Sequence, residues 1–128
     1  MAAGARVLSS YWARMTLRSH KKVALVTGVI RRKGIGAAIT LELAWAGMYV
    51  CMAYYRPCDQ TVPWGVEDME PEDLLAQLCA SGVSADGFEV DLGQADGPRR
   101  LFRLAREMFG RVEILVNNAA YSTRTHIK

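Results

Sequence analysis

The stretch Val23-Ala24-Leu25-Val26-Thr27-Gly28-Val29-Ile30-Arg31-Arg32-Lys33-Gly34-Ile35-Gly36 decides the fold. Val23 to Thr27 is a short apolar run stopped by a glycine, which predicts a buried parallel strand. Gly28 to Gly34 reads as a turn. Ile35 to Trp45 sets Ile39 and Leu43 among small alanines, which predicts a closely packed helix ending at Gly47. A strand, a glycine turn and a helix in this order form the first half of a strand–helix–strand unit.

The pattern repeats outward from this stretch. Met48 to Tyr54 predicts a second strand. Residues 56 to 70, with Pro57, Pro63 and Gly65, read as a long irregular loop. Pro71-Glu72-Asp73 opens a helix with Leu74, Leu75 and Leu78 on one face and Gly82 just past its end. Gly87 to Val90 predicts a third strand ending at Asp91. Pro98 to Phe109 places Leu101, Phe102, Ala105, Met108 and Phe109 on one helix face and Arg99, Arg103 and Arg106 on the other, with Gly110 as the stop. Val112 to Val116 predicts a fourth strand, ending at Asn117-Asn118. Alternation of strands and helices predicts an α/β fold with a parallel sheet and right-handed crossovers. The expected strand order is 3-2-1-4, one half of a doubly wound nucleotide-binding sheet.

Length and composition limit what this sheet can do. At 128 residues the chain is one small domain, 51% hydrophobic and 23% charged, able to build a core. Residues 1 to 41 hold eight Lys or Arg and no acid, whereas residues 42 to 128 hold eight basic and thirteen acidic residues. No basic stripe interleaved with aromatic residues follows, so nucleic acid is not the expected partner. No apolar run reaches the length of a membrane span. Three cysteines, Cys51, Cys58 and Cys79, lack metal-type spacing and read as thiols in a reducing, cytoplasmic setting. Residues 1 to 20 form a basic tail, with Val7, Leu8, Tyr11, Trp12 and Met15 at helical spacing among Arg and Ser. Such a start is either a transit-type segment for mitochondrial import, a disordered tail, or a start site placed ahead of Met15.

The glycine turn has the chemistry of an anion cradle. Gly28 permits a tight exit from the strand, Gly34 lets backbone approach a pyrophosphate, and Gly36 lets the helix pack against the strand. The N–H groups at the helix start near Ile35 then face the anion. The turn follows a strand and opens a helix, which is the context a dinucleotide site requires. The second strand ends Ala53-Tyr54-Tyr55-Arg56, with no acid before Asp59 to bond a ribose 2′-hydroxyl. Arg31, Arg32 and Lys33 in the turn, together with Arg56, are suited to a 2′-phosphate. NADP is therefore the expected cofactor in preference to NAD.

These pieces resemble the short-chain dehydrogenase/reductase family, and within it the 3-oxoacyl-[acyl-carrier-protein] reductase-like members. Three motifs carry the resemblance, over about residues 22 to 122. Thr27-Gly28 with Gly34-Ile35-Gly36 looks like the family's cofactor turn. Asp91-Leu92 looks like the pair that contacts the adenine ring. Asn117-Asn118-Ala119-Ala120 looks like the Asn-Asn-Ala-Gly motif that braces the sheet beside the cofactor's ribose. The spacing from Gly28 to Gly34 is longer than in most members, Gly93 and Ala120 replace the usual residues, and the loop 56 to 70 is long. The resemblance implies a Rossmann-type domain over residues 21 to 128, truncated after the fourth strand.

The family transfers hydride between a nicotinamide and a carbonyl or alcohol, using a tyrosine as acid/base, a lysine that lowers its pKa, a serine and an asparagine. All four come after the fourth strand in these enzymes, and this chain stops at Lys128. Tyr121 and Lys128 lack the Tyr-x-x-x-Lys spacing, and Ser122 comes too early. No catalytic residue is therefore expected here, and the chain alone is predicted to be inactive. The readings left open are the cofactor-binding part of an oxidoreductase, a non-catalytic module that binds nucleotide or pairs with a homologue, and a nonfunctional truncated product. The implied partners are the dinucleotide and either a homo-oligomer or a missing C-terminal half.

Overall fold

The computed structural model describes residues 21–56 and 70–120. The basic tail, most of the loop 56 to 70, Cys58, Tyr121, Ser122 and Lys128 lie outside the described residues. Strand β1 (Val23–Thr27) is followed by helix α1 (Ile35–Trp45), β2 (Tyr49–Tyr54), α2 (Glu70–Ala80), β3 (Ala85–Glu89), α3 (Gly97–Phe109) and β4 (Ile114–Val116). All strands pair in parallel, in the order β3-β2-β1-β4. This is the α/β sheet and strand order that the sequence pattern predicts.

The continuous apolar runs of β1 and β2 follow from burial on both faces. Every residue of β1 is buried, as is β2 from Tyr49 to Ala53. On one face Val23, Leu25, Tyr49, Cys51 and Ala53 pack against Leu101, Ala105 and Phe109 of α3. The Phe109 ring stacks on Tyr49 with centroids 5.7 Å apart. On the other face Val26, Val50, Met52 and Ala85 meet Ala37 and Ala44 of α1 and Leu74 and Leu78 of α2. The buried positions of α1 are Gly36, Ala37, Thr40 and Ala44. Their small side chains let this helix lie close to the sheet, as its composition predicts.

Several boundaries differ from the sequence reading, each for a pairing reason. β2 starts at Tyr49 rather than Met48, because Tyr49 is the residue registered with Val23 at the start of β1. β3 starts at Ala85 rather than Gly87, because Ala85 is registered with Val50 and the Ser84 carbonyl already accepts from the Val50 N–H at 3.1 Å. β4 starts at Ile114 rather than Val112. There the Glu113 carboxylate accepts the Val23 N–H at 2.6 Å, while the Glu113 N–H donates to the Val23 carbonyl at 3.0 Å. A side chain thus takes the place of one ladder acceptor. α2 and α3 each begin one residue earlier than their prolines suggest, since proline tolerates the first helical turn.

β4 pairs with β1 through three registered residues, Ile114 with Ala24, Leu115 with Leu25 and Val116 with Val26. Leu115 shares the sheet face of Leu25, but among the described residues α3 packs on β1 and β2 rather than over Leu115. Leu115 is accordingly 43% exposed. Among the described residues no helix is long and apolar enough to cross a membrane, and no group of His, Cys, Asp and Glu is placed to hold a metal ion.

Candidate functional site

The strand order reverses between β1 and β4, and α/β sheets bind ligands at the carboxyl ends of strands at such a switch point. A cleft of about 630 Å³ opens there. Gly28 and Ile30 come to it from the β1 turn, and Ala53, Tyr54 and Tyr55 from the end of β2. Val90 to Gly93 arrive from the end of β3, and Asn118, Ala119 and Ala120 from the end of β4. Of the expected binding residues, the structure brings Gly28, Asp91, Leu92, Asn118, Ala119 and Ala120 together in this cleft. Arg31, Lys33, Gly34, Ile35 and Gly36 belong to the turn and first helical residues that follow Gly28, and Arg56 follows Tyr55.

The cleft floor is a hydrogen-bonded junction between two strand ends ninety-one residues apart in sequence. The Thr27 hydroxyl, on a residue only 4% exposed, accepts the N–H of Asn118 at 3.1 Å and of Ala119 at 3.0 Å. It donates to the Val116 carbonyl at 3.3 Å. In return the Asn118 side-chain amide donates to the carbonyls of Thr27 at 3.1 Å and Gly28 at 3.2 Å. The Val29 N–H donates to the Ala53 carbonyl at 3.0 Å, which ties the turn to β2 as well.

This junction leaves no room at two glycines. Gly28 has φ +73°, and a Cβ there would lie 2.8 Å from the Ala119 Cα. A Cβ on Gly36 would lie 2.7 Å from the Asn118 amide nitrogen and 2.9 Å from the Gly28 carbonyl. Gly36 therefore sets how near α1 comes to the junction.

The start of α1 is open to a ligand. Its N-cap is Gly34, which offers no side-chain cap, and its first turn contains no acid. Its leading N–H groups and the positive end of its dipole are left for an anion. Ile35 is 74% exposed beside them. Arg32 and Lys33 are exposed, and the Arg31 carbonyl closes the turn by accepting the Gly34 N–H at 3.0 Å. Asp91 is partly engaged by its own loop, since its carboxylate accepts the Gly93 N–H at 2.8 Å and the Gln94 amide at 3.2 Å.

Arg56 sits between two carboxylates that sequence reasoning did not connect to it. Its Nη1 donates to Glu72 at 2.8 Å and its Nη2 to Glu89 at 2.9 Å. Its Nε and backbone N–H also reach Glu89, each at 3.3 Å. The guanidinium lies 5.4 Å from the Tyr54 ring centroid. Hydrogen bonding from Arg56 holds the Glu89 carboxyl below its ordinary range. Partial burial, then the charge of Glu72, pushes the Tyr54 phenol upward.

An uncapped helix start, a neutral junction floor and a cleft across four strand ends fit a dinucleotide. The short chain dehydrogenase family model matches residues 22–128. The chain belongs to the short-chain dehydrogenase family. It is 34% identical over 111 residues to versicolorin reductase 1 of Dothistroma septosporum, covering 87% of this chain and 38% of that protein. It is 32% identical over 104 residues to the 3-oxoacyl-[acyl-carrier-protein] reductase of a Synechocystis strain, covering 81% of this chain and 37% of that one. A metagenomic short-chain oxidoreductase in complex with NADP superposes with a TM-score of 0.61 at 30% identity, over 77% of this chain and 38% of that structure. The chain thus spans well under half the length of these short-chain relatives.

Proposed function

We propose that this chain is the cofactor-binding part of an NADP-dependent short-chain oxidoreductase that interconverts a carbonyl and an alcohol, of the 3-oxoacyl-carrier-protein reductase type. The observation that carries the reading is the Thr27–Asn118 junction, which fixes the exit of β4 against the open start of α1. Hydride donation or acceptance belongs to the bound nicotinamide.

This chain's residues bind and orient. The N–H groups after Gly34 would hold the pyrophosphate, and Asp91-Leu92 would receive the adenine end. Asn118, Ala119 and Ala120 would line the ribose side, with Gly28, Ile35 and Gly36 shaping the turn. Arg31, Lys33 and Arg56 would face a 2′-phosphate. The absence of an acid from Tyr54 to Arg56 supports NADP over NAD, and the NADP-bound relative is consistent with it. No described residue is assigned to proton transfer. A cytoplasmic setting accompanies this reading. The half-open face of β4 supports a protein partner there, either a second copy or the remainder of a longer chain.

Fluorescence titration of the folded chain with NADPH tests the reading. Saturable binding, tighter for NADPH than for NADH, is expected, without NADPH oxidation when a 3-oxoacyl substrate is added. Folded protein that binds neither cofactor refutes it, and turnover near that of a complete enzyme refutes the assignment of binding alone.

A further inference from the structure

Arg56 follows Tyr55, which lines the cleft beyond the end of β2. Glu89 precedes Val90 and Asp91, which line the same cleft from β3. The Arg56–Glu72–Glu89 cluster therefore stands at the cleft rim, where two parallel strands end side by side. Its formal charge is −1, because one guanidinium is shared by two carboxylates. The Arg56 side chain is 25% exposed, Glu72 34% and Glu89 37%, so the cluster is partly open to solvent.

The two carboxylates are not equivalent. Glu72 comes from α2 and keeps one oxygen buried, without a hydrogen-bond partner among the described residues. Its other oxygen bonds Arg56 and, at 3.4 Å, the Tyr54 hydroxyl. Glu72 is thus anchored and holds the guanidinium over the Tyr54 ring. Glu89 is the more exposed partner and meets both Nε and Nη2 side-on, a two-point grip that fixes the plane of the fork. Together they restrict where the arginine points and offset its charge.

We propose that Glu72 and Glu89 are positioning residues that set cofactor choice by restraining Arg56 and offsetting its charge toward a 2′-phosphorylated ribose. This rests on the dinucleotide reading above. The basic residue at the end of β2 then acts as a damped selector, with the damping built into β3 and α2. A 2′-phosphate meets Arg56 together with two negative charges, whereas an unphosphorylated ribose feels little of this field. The chain therefore discriminates for NADPH less strongly than its sequence of Arg31, Arg32, Lys33 and Arg56 suggests.

Glu89→Gln removes the charge and keeps one oxygen to accept from the Arg56 Nε and backbone N–H, giving up the Nη2 bond, so the salt dependence separates the charge effect from the lost contact. One unit charge removed within a Debye length of a doubly charged phosphate changes affinity by about three- to tenfold. Titration of the 128-residue chain with NADPH and with NADH should show the E89Q variant binding NADPH tighter by that factor while NADH moves less than twofold. The gain should shrink in 0.5 M salt, which a purely structural change would not reproduce. Glu72→Gln provides the second variant, and circular dichroism of each reports folding. If wild type binds both cofactors and neither variant alters the NADPH-to-NADH ratio, the proposal is overturned while the cofactor reading stands. If folded wild type binds neither, both fall together.

Discussion

The Thr27 hydroxyl allows a quantitative test of how the site is built. Thr27→Val keeps the β-branched shape and replaces one oxygen with a methyl group. It removes the acceptor of the Asn118 and Ala119 N–H groups and the donor to Val116, all at 3.0 to 3.3 Å. An unsatisfied buried polar group costs about 1–3 kcal/mol. These partners are only partly buried, and water reaches some of what is left, so the total is set at about 2–4 kcal/mol rather than the full sum. For a domain near 100 residues that lowers Tm by roughly 10–20 °C. The control is Thr27→Ser, which keeps the hydroxyl and loses one methyl, at about 1 kcal/mol. Urea unfolding followed by far-ultraviolet circular dichroism gives the comparison, with the loss read as a lower midpoint at unchanged slope. A Val variant within about 0.5 kcal/mol of wild type would refute the junction as a stabilising element, as would a Ser variant equally damaged.

Gly36→Ala should weaken NADPH binding at least about tenfold and destabilise the fold by about 1–3 kcal/mol, because its Cβ would press on Asn118 and the Gly28 carbonyl; unchanged titration and melting curves would contradict this. Cys51 is fully buried, and burial pushes its thiol from 9.0 up to about 12. The unfolded chain ionises this thiol first, so its contribution is intact below pH 9 and is lost as pH rises toward 12, by up to about 4 kcal/mol. Cys51→Ala should flatten that alkaline decline. Maleimide labelling at pH 8 with peptide mapping should modify the exposed Cys79 and spare Cys51 until the chain is unfolded, and equal labelling of both in the native state would count against the buried assignment.

The sheet was legible in the sequence because burial on both faces leaves unbroken apolar runs. Val23 to Thr27 and Tyr49 to Ala53 carry that signal directly, and glycines or prolines punctuate the helices between them. The starts of β3 and β4 were not legible. They depend on register with β2 and β1, and at Glu113 on a carboxylate that substitutes for a backbone group. The cleft residues Gly28, Asp91 and Asn118 were found through motif and position. The sequence marks Thr27 as the end of a strand and the start of the cofactor-turn motif, but nothing local shows that its hydroxyl serves two N–H groups across the sheet. Arg56 is visible as a cation, whereas its partners lie sixteen and thirty-three residues away: Glu89 becomes a neighbour through parallel pairing of β2 with β3, and Glu72 through packing of α2 on the sheet. Formal charge is a property of the sequence, but the field that a ligand meets depends on folding.

The same logic makes β4 the element on which the site depends most. Among the described residues β1 and β2 are each paired on both sides, whereas β4 is three residues long and paired with β1 alone. It is held at one end by Glu113 on Val23 and at the other by Thr27 on Asn118 and Ala119. Opening this strand would withdraw Asn118, Ala119 and Ala120 from the cleft and expose the β1 edge in one event. Local stability in proteins varies with such packing, and a short, one-sided strand lies at the low end. A ligand that needs the closed junction binds that state alone and shifts the opening equilibrium in its favour. On the proposed reading, cofactor binding and attachment of β4 would form one coupled equilibrium, and a partner covering Leu115 would then act on the cleft without touching it.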